Sequence, residues 1–461
     1  MMVLQVMKNN SNSHILAGDN IGKLLWKLSL PAMVGMFVMA MYNIVDTIFV
    51  GRVVGTNAIA ALTVSFPVQM IVWGFGIMNG IGSAALISIS LGEGKPEKAN
   101  RIFHNALLLV LFLGVFFTIL IQIFLDDIIV LFGASPEILP LSRQYLGIVT
   151  LGATFQIASM TGNNIIRSEG QAKIAMLSMV SGAVLNIILD AVFIFIFKMG
   201  IRGVAIATLS AQIFQTIFQF IYFKSKKSAL LYKFCFREFN LPIAINIFRI
   251  GLASFLRNAA GSLMMIVFNN ALRIHGGALA LAAAGVIFRT INFTLMPIIG
   301  VAQGMQPIVG FNFGAGKIDK VISVWRKASV RASVMSLVSF IFIMLFPRQI
   351  ISIFSKDEAL LQMAEKAIRI MFAGGLVIGF QITGGTFFQA INKAKPALIL
   401  STIRQILFLI PLLLILPHYW GLFGAWVSHP ISDIVSTFIT VAFLWVEIKI
   451  LKASYIPAKT E

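Results

Sequence analysis

Twelve long apolar runs, separated by short polar or glycine- and proline-containing breaks, set the pattern of this chain. They fall at residues 24–50, 58–91, 102–125, 144–166, 172–197, 201–223, 243–272, 279–311, 325–346, 366–391, 396–417 and 421–446. Most reach the roughly 20 residues that a helix needs to cross a hydrocarbon core about 30 Å thick. The second, seventh and eighth runs are longer and predict helices that tilt or protrude. The breaks hold residues that disfavour helix continuation: Gly92 to Pro96, Pro136 to Pro140, Gly276-Gly277, Gly314 to Gly316 and Lys393 to Pro396. The pattern predicts an all-α polytopic membrane protein with twelve transmembrane helices. Composition agrees. Only 11% of residues are charged and 58% are hydrophobic, with a mean hydropathy of +0.92, whereas soluble domains carry about 25% charged residues. The segment 1–23 is polar and mixed, without a signal-peptide cleavage pattern before Leu24, so the first span is expected to be retained. The single cysteine, Cys235, excludes an intramolecular disulfide framework and a cysteine-based zinc cluster.

Net charge, +19, changes the picture only through its distribution. With a cytoplasmic N-terminus, the inner segments hold 22 Lys and Arg residues, from Lys8, Lys23 and Lys27 through Lys224–Arg237 to Lys449, Lys452 and Lys459. The outer loops hold 8: Arg52, Arg143, Lys198, Arg202, Arg273, Arg348, Lys356 and Lys366. Basic excess collects on cytoplasmic loops, so both termini are expected inside, in a multi-pass protein of the cytoplasmic membrane. The high basic charge then needs no nucleic-acid partner.

An internal repeat divides the chain. Gly92-Glu-Gly94-Lys95-Pro-Glu97-Lys98 matches Gly314-Ala-Gly316-Lys317-Ile-Asp319-Lys320 in the second half. The displacement that carries Gly92 onto Gly314 also pairs Gly162, Ala172, Lys173 and Ala175 with Gly384, Ala394, Lys395 and Ala397, and Ile44-Val45 with Ile266-Val267. Shortened by a single position, it matches Gly200-Ile-Arg-Gly203 to Gly421-Leu-Phe-Gly424. Singly, each match is within reach of chance, and each copy of the basic heptapeptide reads as an ordinary solvated turn; together and in order they indicate two six-helix halves. An even number of spans inserts both halves in one orientation, so the two bundles are expected about a pseudo-twofold axis along the membrane normal. The expected organisation is a cytoplasmic tail at 1–23, an N-terminal lobe at 24–223, a cytoplasmic linker at 224–242, a C-terminal lobe at 243–446 and a cytoplasmic tail at 447–461.

Of 17 acids, Asp46, Asp190 and Asp433 alone lie well inside predicted spans. An acid there costs about 2.5–3.5 kcal/mol on insertion scales, which makes function the default reading. Asp46 lies near the outer end of the first span, and Asp190 and Thr208 lie at similar depth in the fifth and sixth. Tyr42 and Asn186 each precede an aspartate by four residues, on the same helical face. These five residues are expected to form one polar cluster, with a network that merely holds helices together as the competing reading. Under the repeat, Asp46 becomes Phe268, Asn186 becomes Phe408 and Asp190 becomes Leu412. The second half keeps the scaffold without the acids. Asp433 is expected to pair with Arg257, Arg289 or Arg404, and His429 reads as either interfacial or functional. Asn163 and Asn164 read either as an end-of-helix polar pair or as cavity lining, and Pro31 as a kink or hinge.

Pro31, the stretch Tyr42-Asn-Ile-Val-Asp46-Thr-Ile-Phe-Val-Gly51-Arg52, the Gly92-x-Gly94-Lys95 turn, the Asn163-to-Gly170 segment and Asn186-x-x-x-Asp190 resemble the multidrug and toxic compound extrusion (MATE) family. The likeness runs over essentially the whole chain and is closest to the bacterial and archaeal branch that carries its acids in the N-terminal lobe. The resemblance implies a secondary antiporter, not an enzyme, that exports drugs, organic cations or other amphipathic compounds in exchange for H+ or Na+. It implies coupling at Asp46 and Asp190, with Tyr42, Asn186 and Thr208 around them, Asn163 as a further cavity candidate and Pro31 as the bending proline. Another branch carries acids in helices 7 and 10 of the C-terminal lobe; here helix 7 offers Arg257 and no acid, and helix 10 offers Gln381 and no acid until Glu365 at its outer end.

No cofactor is expected beyond the coupling ion. Reversible protonation of the aspartates is one scheme; Na+ held by Asp46, Asp190, Asn186 and Thr208 oxygens is the other. The expected partners are small-molecule substrates and the lipid bilayer, with the protein acting as a monomer. A lipid-linked precursor flippase of the same wider superfamily would share the repeat but calls for a more cationic cavity. An intramembrane aspartyl protease would also use two aspartates, yet Leu185-Asn-Ile-Ile-Leu-Asp190 lacks its glycine-flanked motif. A channel would need a repeated pore loop that the chain does not show.

Overall fold

The computed structural model describes residues 13–53, 56–231, 238–354 and 357–454, which form helices and turns with no strand among them. Cys235, Lys8, Lys233, Arg237, Lys356 and Lys459 lie outside the described residues. Among the described residues, nine stretches are singly long and apolar enough to cross a membrane, and Glu358–Met371 with Gly375–Ala390 makes a tenth, bent by 50°. Residues 394–453 hold two spans, because the helix breaks at Gly421. The twelfth is built from Leu139–Leu151 and Ala153–Ser168, interrupted at Gly152. In chain order these are α1 (Ile21–Val53), α2 (Thr56–Gly92), α3 (Pro96–Ile123), α4 (residues 139–168), α5 (Ala172–Ile196), α6 (Ile201–Lys224), α7 (Leu241–Gly277), α8 (Leu279–Gly314), α9 (Ile318–Leu345), α10 (residues 358–390), α11 (residues 394–420) and α12 (residues 422–454). Helices are the expected answer, since lipid offers backbone N–H and C=O groups no partner outside the segment itself.

Most spans are longer than their apolar runs suggest, α4 and α10 among them. α10 begins at Glu358 rather than at residue 366, because its first helix carries Glu358, Glu365, Lys366 and Arg369 and buries only one face, through Leu361, Ala364, Ala367, Ile368 and Met371. α4 begins at Leu139, where Pro140 occupies the first turn and tolerates the missing backbone hydrogen bond.

The repeat is visible in the backbone. Gly94 and Gly316 turn with φ of 69° and 71°, in the left-handed region that a Cβ disfavours. Gly200 (φ 58°, ψ −137°) and Gly421 (φ 53°, ψ −135°) adopt one conformation ahead of α6 and α12.

The chain forms two compact units. The first comprises residues 1–17 and 34–251; the second comprises residues 18–33 and 252–461. The opening part of α1, to Met33, therefore packs with the second unit, and the opening part of α7, to Gly251, with the first. Glycines allow both contacts. A Cβ at Gly304 of α8 would lie 2.7 and 2.8 Å from the Ser29 backbone of α1, and one at Gly82 of α2 would fall onto the Ile247 backbone of α7. Gly82 and Gly304 are themselves equivalent positions of the repeat.

In the first unit, apolar side chains such as Phe117, Leu146 and Ile157 fill the space between helices. Amides cross-link them: Asn79 donates to Ala106 O at 3.0 Å and to the Thr161 hydroxyl at 3.2 Å. Gln219 donates to Ser159 O at 3.0 Å and to the Ser178 hydroxyl at 3.1 Å. In the second unit the core gathers around Phe268, Ile368, Phe372 and Leu409.

Candidate functional site: a paired carboxyl cluster in the first unit

α1 and α5 each bring one aspartate into the first unit. Asp190 is fully buried in the last α-helical turn of α5, ahead of a π-helical stretch at Val192–Ile196. Such insertions re-aim side chains and recur at functional sites. Asp46 is half-buried on α1, and its carboxyl lies within hydrogen-bonding reach of Asp190. Asn186 is buried one turn before Asp190, and Tyr42 is half-buried one turn before Asp46. Thr208 of α6 sits beside the hydroxyl of Tyr145, a buried α4 residue that lies in the field of both aspartates. Gln69 of α2 points its amide at the same hydroxyl from 3.5 Å.

Several polar atoms of the cluster lack partners. Asp46 Oδ1, both Asp190 carboxyl oxygens and both Asn186 amide atoms are buried with no hydrogen-bond partner among the described residues. Ionised carboxylates only accept hydrogen bonds, so two of them cannot satisfy each other. A proton shared between them, or a hard cation taking their oxygens with that of Asn186, would. The residues therefore fit either coupling ion. No three His, Cys, Asp or Glu side chains converge among the described residues, so a cation here would rest on two carboxylates and neutral oxygens.

Asn163 sits apart from this chemistry in its bonding. Its amide donates to Ala175 O at 2.8 Å, tying α4 to α5, and its side-chain oxygen accepts from Arg167. Pro31 lies inside the continuous helix α1, just before the chain passes from the second unit to the first at Met33 and Val34.

The second unit answers the first with different residues. Phe268, the repeat counterpart of Asp46, is fully buried and packs edge-on to His429 at 5.0 Å. His429 is buried there, with Phe268 and Phe288 both edge-on to its ring. Asp433 pairs with Arg404, whose Nε donates to its carboxyl. Gln381 donates to the Ser436 hydroxyl at 2.5 Å and Gln389 to that of Ser254 at 2.9 Å.

Three residues escaped sequence reasoning. Tyr145 and Gln69 are single polar groups within apolar runs, and only their shared depth with Thr208 could have drawn notice. Glu169, between α4 and α5, reads in sequence as an ordinary loop acid. It is 1% exposed. Its Oε2 accepts from the Tyr222 hydroxyl at 2.6 Å, while Oε1 accepts from the Ser228 hydroxyl at 2.8 Å, Ala229 N at 2.8 Å and Leu230 N at 3.1 Å. Burial pushes its carboxyl up to about 7, against the pull of those donors. The chain after α6 is held further by Asn100, which accepts from Leu231 N at 2.8 Å. His104 contacts Leu231 O at 3.0 Å and Glu238 Oε2 at 2.7 Å, and Asn105 accepts from Asn240 N at 2.7 Å.

Comparison with known proteins agrees with this architecture. The chain is 29% identical over 404 residues to the multidrug export protein MepA of Staphylococcus aureus strain N315, covering 87% of this chain and 88% of that protein. It is 28% identical over 408 residues to MepA of Staphylococcus saprophyticus, covering 88% and 89%. Among solved structures, a MOP superfamily transporter from Pyrococcus furiosus, described as having a binding pocket of reverse polarity, superposes with a TM-score of 0.89 at 29% identity. That match covers 96% of this chain and 99% of the other. An outward-facing multidrug resistance MATE transporter superposes with a TM-score of 0.90 at 28% identity, over 96% and 99% of the two chains. The MatE family profile matches residues 31–192 and 250–415, one segment in each half of the repeat. With twelve spans among the described residues and both halves matched, this chain belongs to the multidrug and toxic compound extrusion family of membrane transporters.

Proposed function

We propose that this chain is a secondary antiporter that exports drugs and other amphipathic or cationic compounds in exchange for H+ or Na+. The Asp46–Asp190 pair carries the reading: two buried carboxyls face each other with unsatisfied oxygens, an arrangement that an entering proton or Na+ would relieve. Asn186 and Thr208 supply neutral oxygens beside them, with Tyr42 and Asn163 as further polar residues of the cavity wall. The lobes at 24–223 and 243–446, related by a pseudo-twofold axis and joined by the linker at 224–242, would alternate access as the pair fills and empties. Pro31 would bend α1 during the cycle; bent and straight conformations are described for structures of similar MATE proteins. The protein would work as a monomer in the cytoplasmic membrane, with both termini inside and no cofactor.

The lipid-linked precursor flippase is less well supported. It calls for free cationic charge, and Arg404, one of three arginines that could supply it, is tied to Asp433.

Purified protein in liposomes separates these readings. An imposed proton gradient, and separately a sodium gradient, should drive uphill movement of a fluorescent organic cation under one of the two. Lipid scrambling, or ion current independent of the organic cation, would overturn the antiport reading.

A further inference from the structure

We propose that α9 carries a binding groove for one anionic phospholipid of the cytoplasmic leaflet. A groove of about 350 Å³ runs along α9 beside α10, with Trp325, Arg326, Val330, Val334, Leu337 and Phe380 on its walls. Arg326, Val330, Val334 and Leu337 recur at steps of four, four and three residues, so they share one helical face. The three aliphatic side chains are 57%, 52% and 44% exposed, as a surface turned to lipid would be.

Length and charge select the occupant. Eleven residues separate Arg326 from Leu337, about 16 Å along a helix axis, or about half of a hydrocarbon core roughly 30 Å thick. The groove therefore spans one leaflet. Arg326 is exposed and has no hydrogen bond or ion pair among the described residues. The nearest acid on its helix, Asp319, lies seven residues earlier, about 10 Å away along the axis. An unpaired guanidinium above an apolar trough fits a phosphate head on an acyl tail and disfavours a cationic drug. Trp325 forms a buried apolar floor at the same level. It is 9% exposed, packs at 72° against Phe380, and its indole N–H has no partner among the described residues.

The leaflet assignment rests on the inward orientation proposed above, and the experiment separates the two. Delipidated protein in detergent is titrated with palmitoyl-oleoyl phosphatidylglycerol or phosphatidylcholine, and bound lipid is counted by native mass spectrometry. The wild type should retain one phosphatidylglycerol in preference to phosphatidylcholine. Arg326→Gln should weaken phosphatidylglycerol about fivefold, the factor expected of one basic side chain at an anionic headgroup, and leave phosphatidylcholine unchanged. Arg326→Lys should retain most of the preference. Val334→Trp should weaken both lipids by filling the trough, with an unchanged melting temperature showing that the fold persists. Equal retention of the two lipids by wild type, no effect of Arg326→Gln, or displacement of the lipid by inorganic phosphate alone would overturn the groove. In a Cys235→Ser background, labelling of Lys327→Cys by an impermeant maleimide from outside intact cells would overturn the orientation and the leaflet, whatever lipid is bound.

Discussion

Asp46, Asp190 and Asp433 come from the same kind of apolar sequence and meet different neighbours. The first two face each other, whereas Asp433 faces Arg404. The proposed coupling role therefore predicts opposite phenotypes. Asp46→Asn and Asp190→Asn should each abolish gradient-driven export while membrane yield stays near wild type, because removing an intramembrane acid lowers insertion cost. Retained drug resistance in either variant would sink the coupling role. Asp433→Asn should keep the drug flux per ion gradient and lower stability by about 2 kcal/mol. That is below the roughly 3–5 kcal/mol of a fully buried pair, because Arg404 is 28% exposed and water screens it. Vesicle flux and detergent melting curves, run side by side, check both halves. Sequence alone could place the acids and their depth, since spacing along a helix fixes both. It could not name Arg404 over Arg257 and Arg289, nor find Tyr145, because side-chain partners depend on how helices rotate about their axes.

Glu169 shows how an element boundary can hold a titratable lock. Its carboxyl ties the α4–α5 turn to Tyr222 and to the chain leaving α6. The folded carboxyl sits at about 7 against an ordinary value of 4.5, so the folded state holds this proton where the unfolded chain has released it. The contribution is complete below about pH 4.5 and is lost as pH rises through about 7. Glu169→Gln imitates the protonated form: its oxygen can keep the Ser228, Ala229 and Leu230 donors while its amide donates to Tyr222. The melting temperature of Glu169→Gln relative to wild type should rise as pH is raised from about 5 to about 8. A constant difference over that range would mean that Glu169 does not titrate there. Apolar runs made most spans legible, because a membrane helix must be hydrophobic over its length. They failed at several starts, including those of α4 and α10, where Arg143 or the Glu358–Arg369 charges lie on the faces away from the core. They were also silent about the breaks at Gly152 and near Gly374, which depend on local packing.

At the scale of the whole molecule, the repeat is legible as a constant displacement, Gly92 onto Gly314, and returns as matched backbone angles at Gly200 and Gly421. What no displacement reveals is that residues 18–33 pack with the second unit and residues 241–251 with the first. Ownership of a half-helix is settled by contacts distant in sequence. Gly82 and Gly304 lie directly against backbone in those contacts, so Gly304→Val and Gly82→Val should each lower the melting temperature, by the equivalent of about 1–3 kcal/mol for overpacking. A Gly304→Val protein as stable as wild type would mean that α1 is free to shift. The chain crosses between units after Met33 and after Gly251, positions that the repeat matches to within about one helical turn. Two separate six-helix chains that each lent their opening half-helix to the other would, once fused end to end, give this crossing pattern, as in a domain-swapped dimer. Cutting the gene into residues 1–231 and 238–461 puts that exchange to the test. Neither fragment alone carries a seat for its own first half-helix, so each should be degraded when made singly, and the two should copurify when made together. A fragment that is stable and monodisperse without its mate would show that the exchange is dispensable.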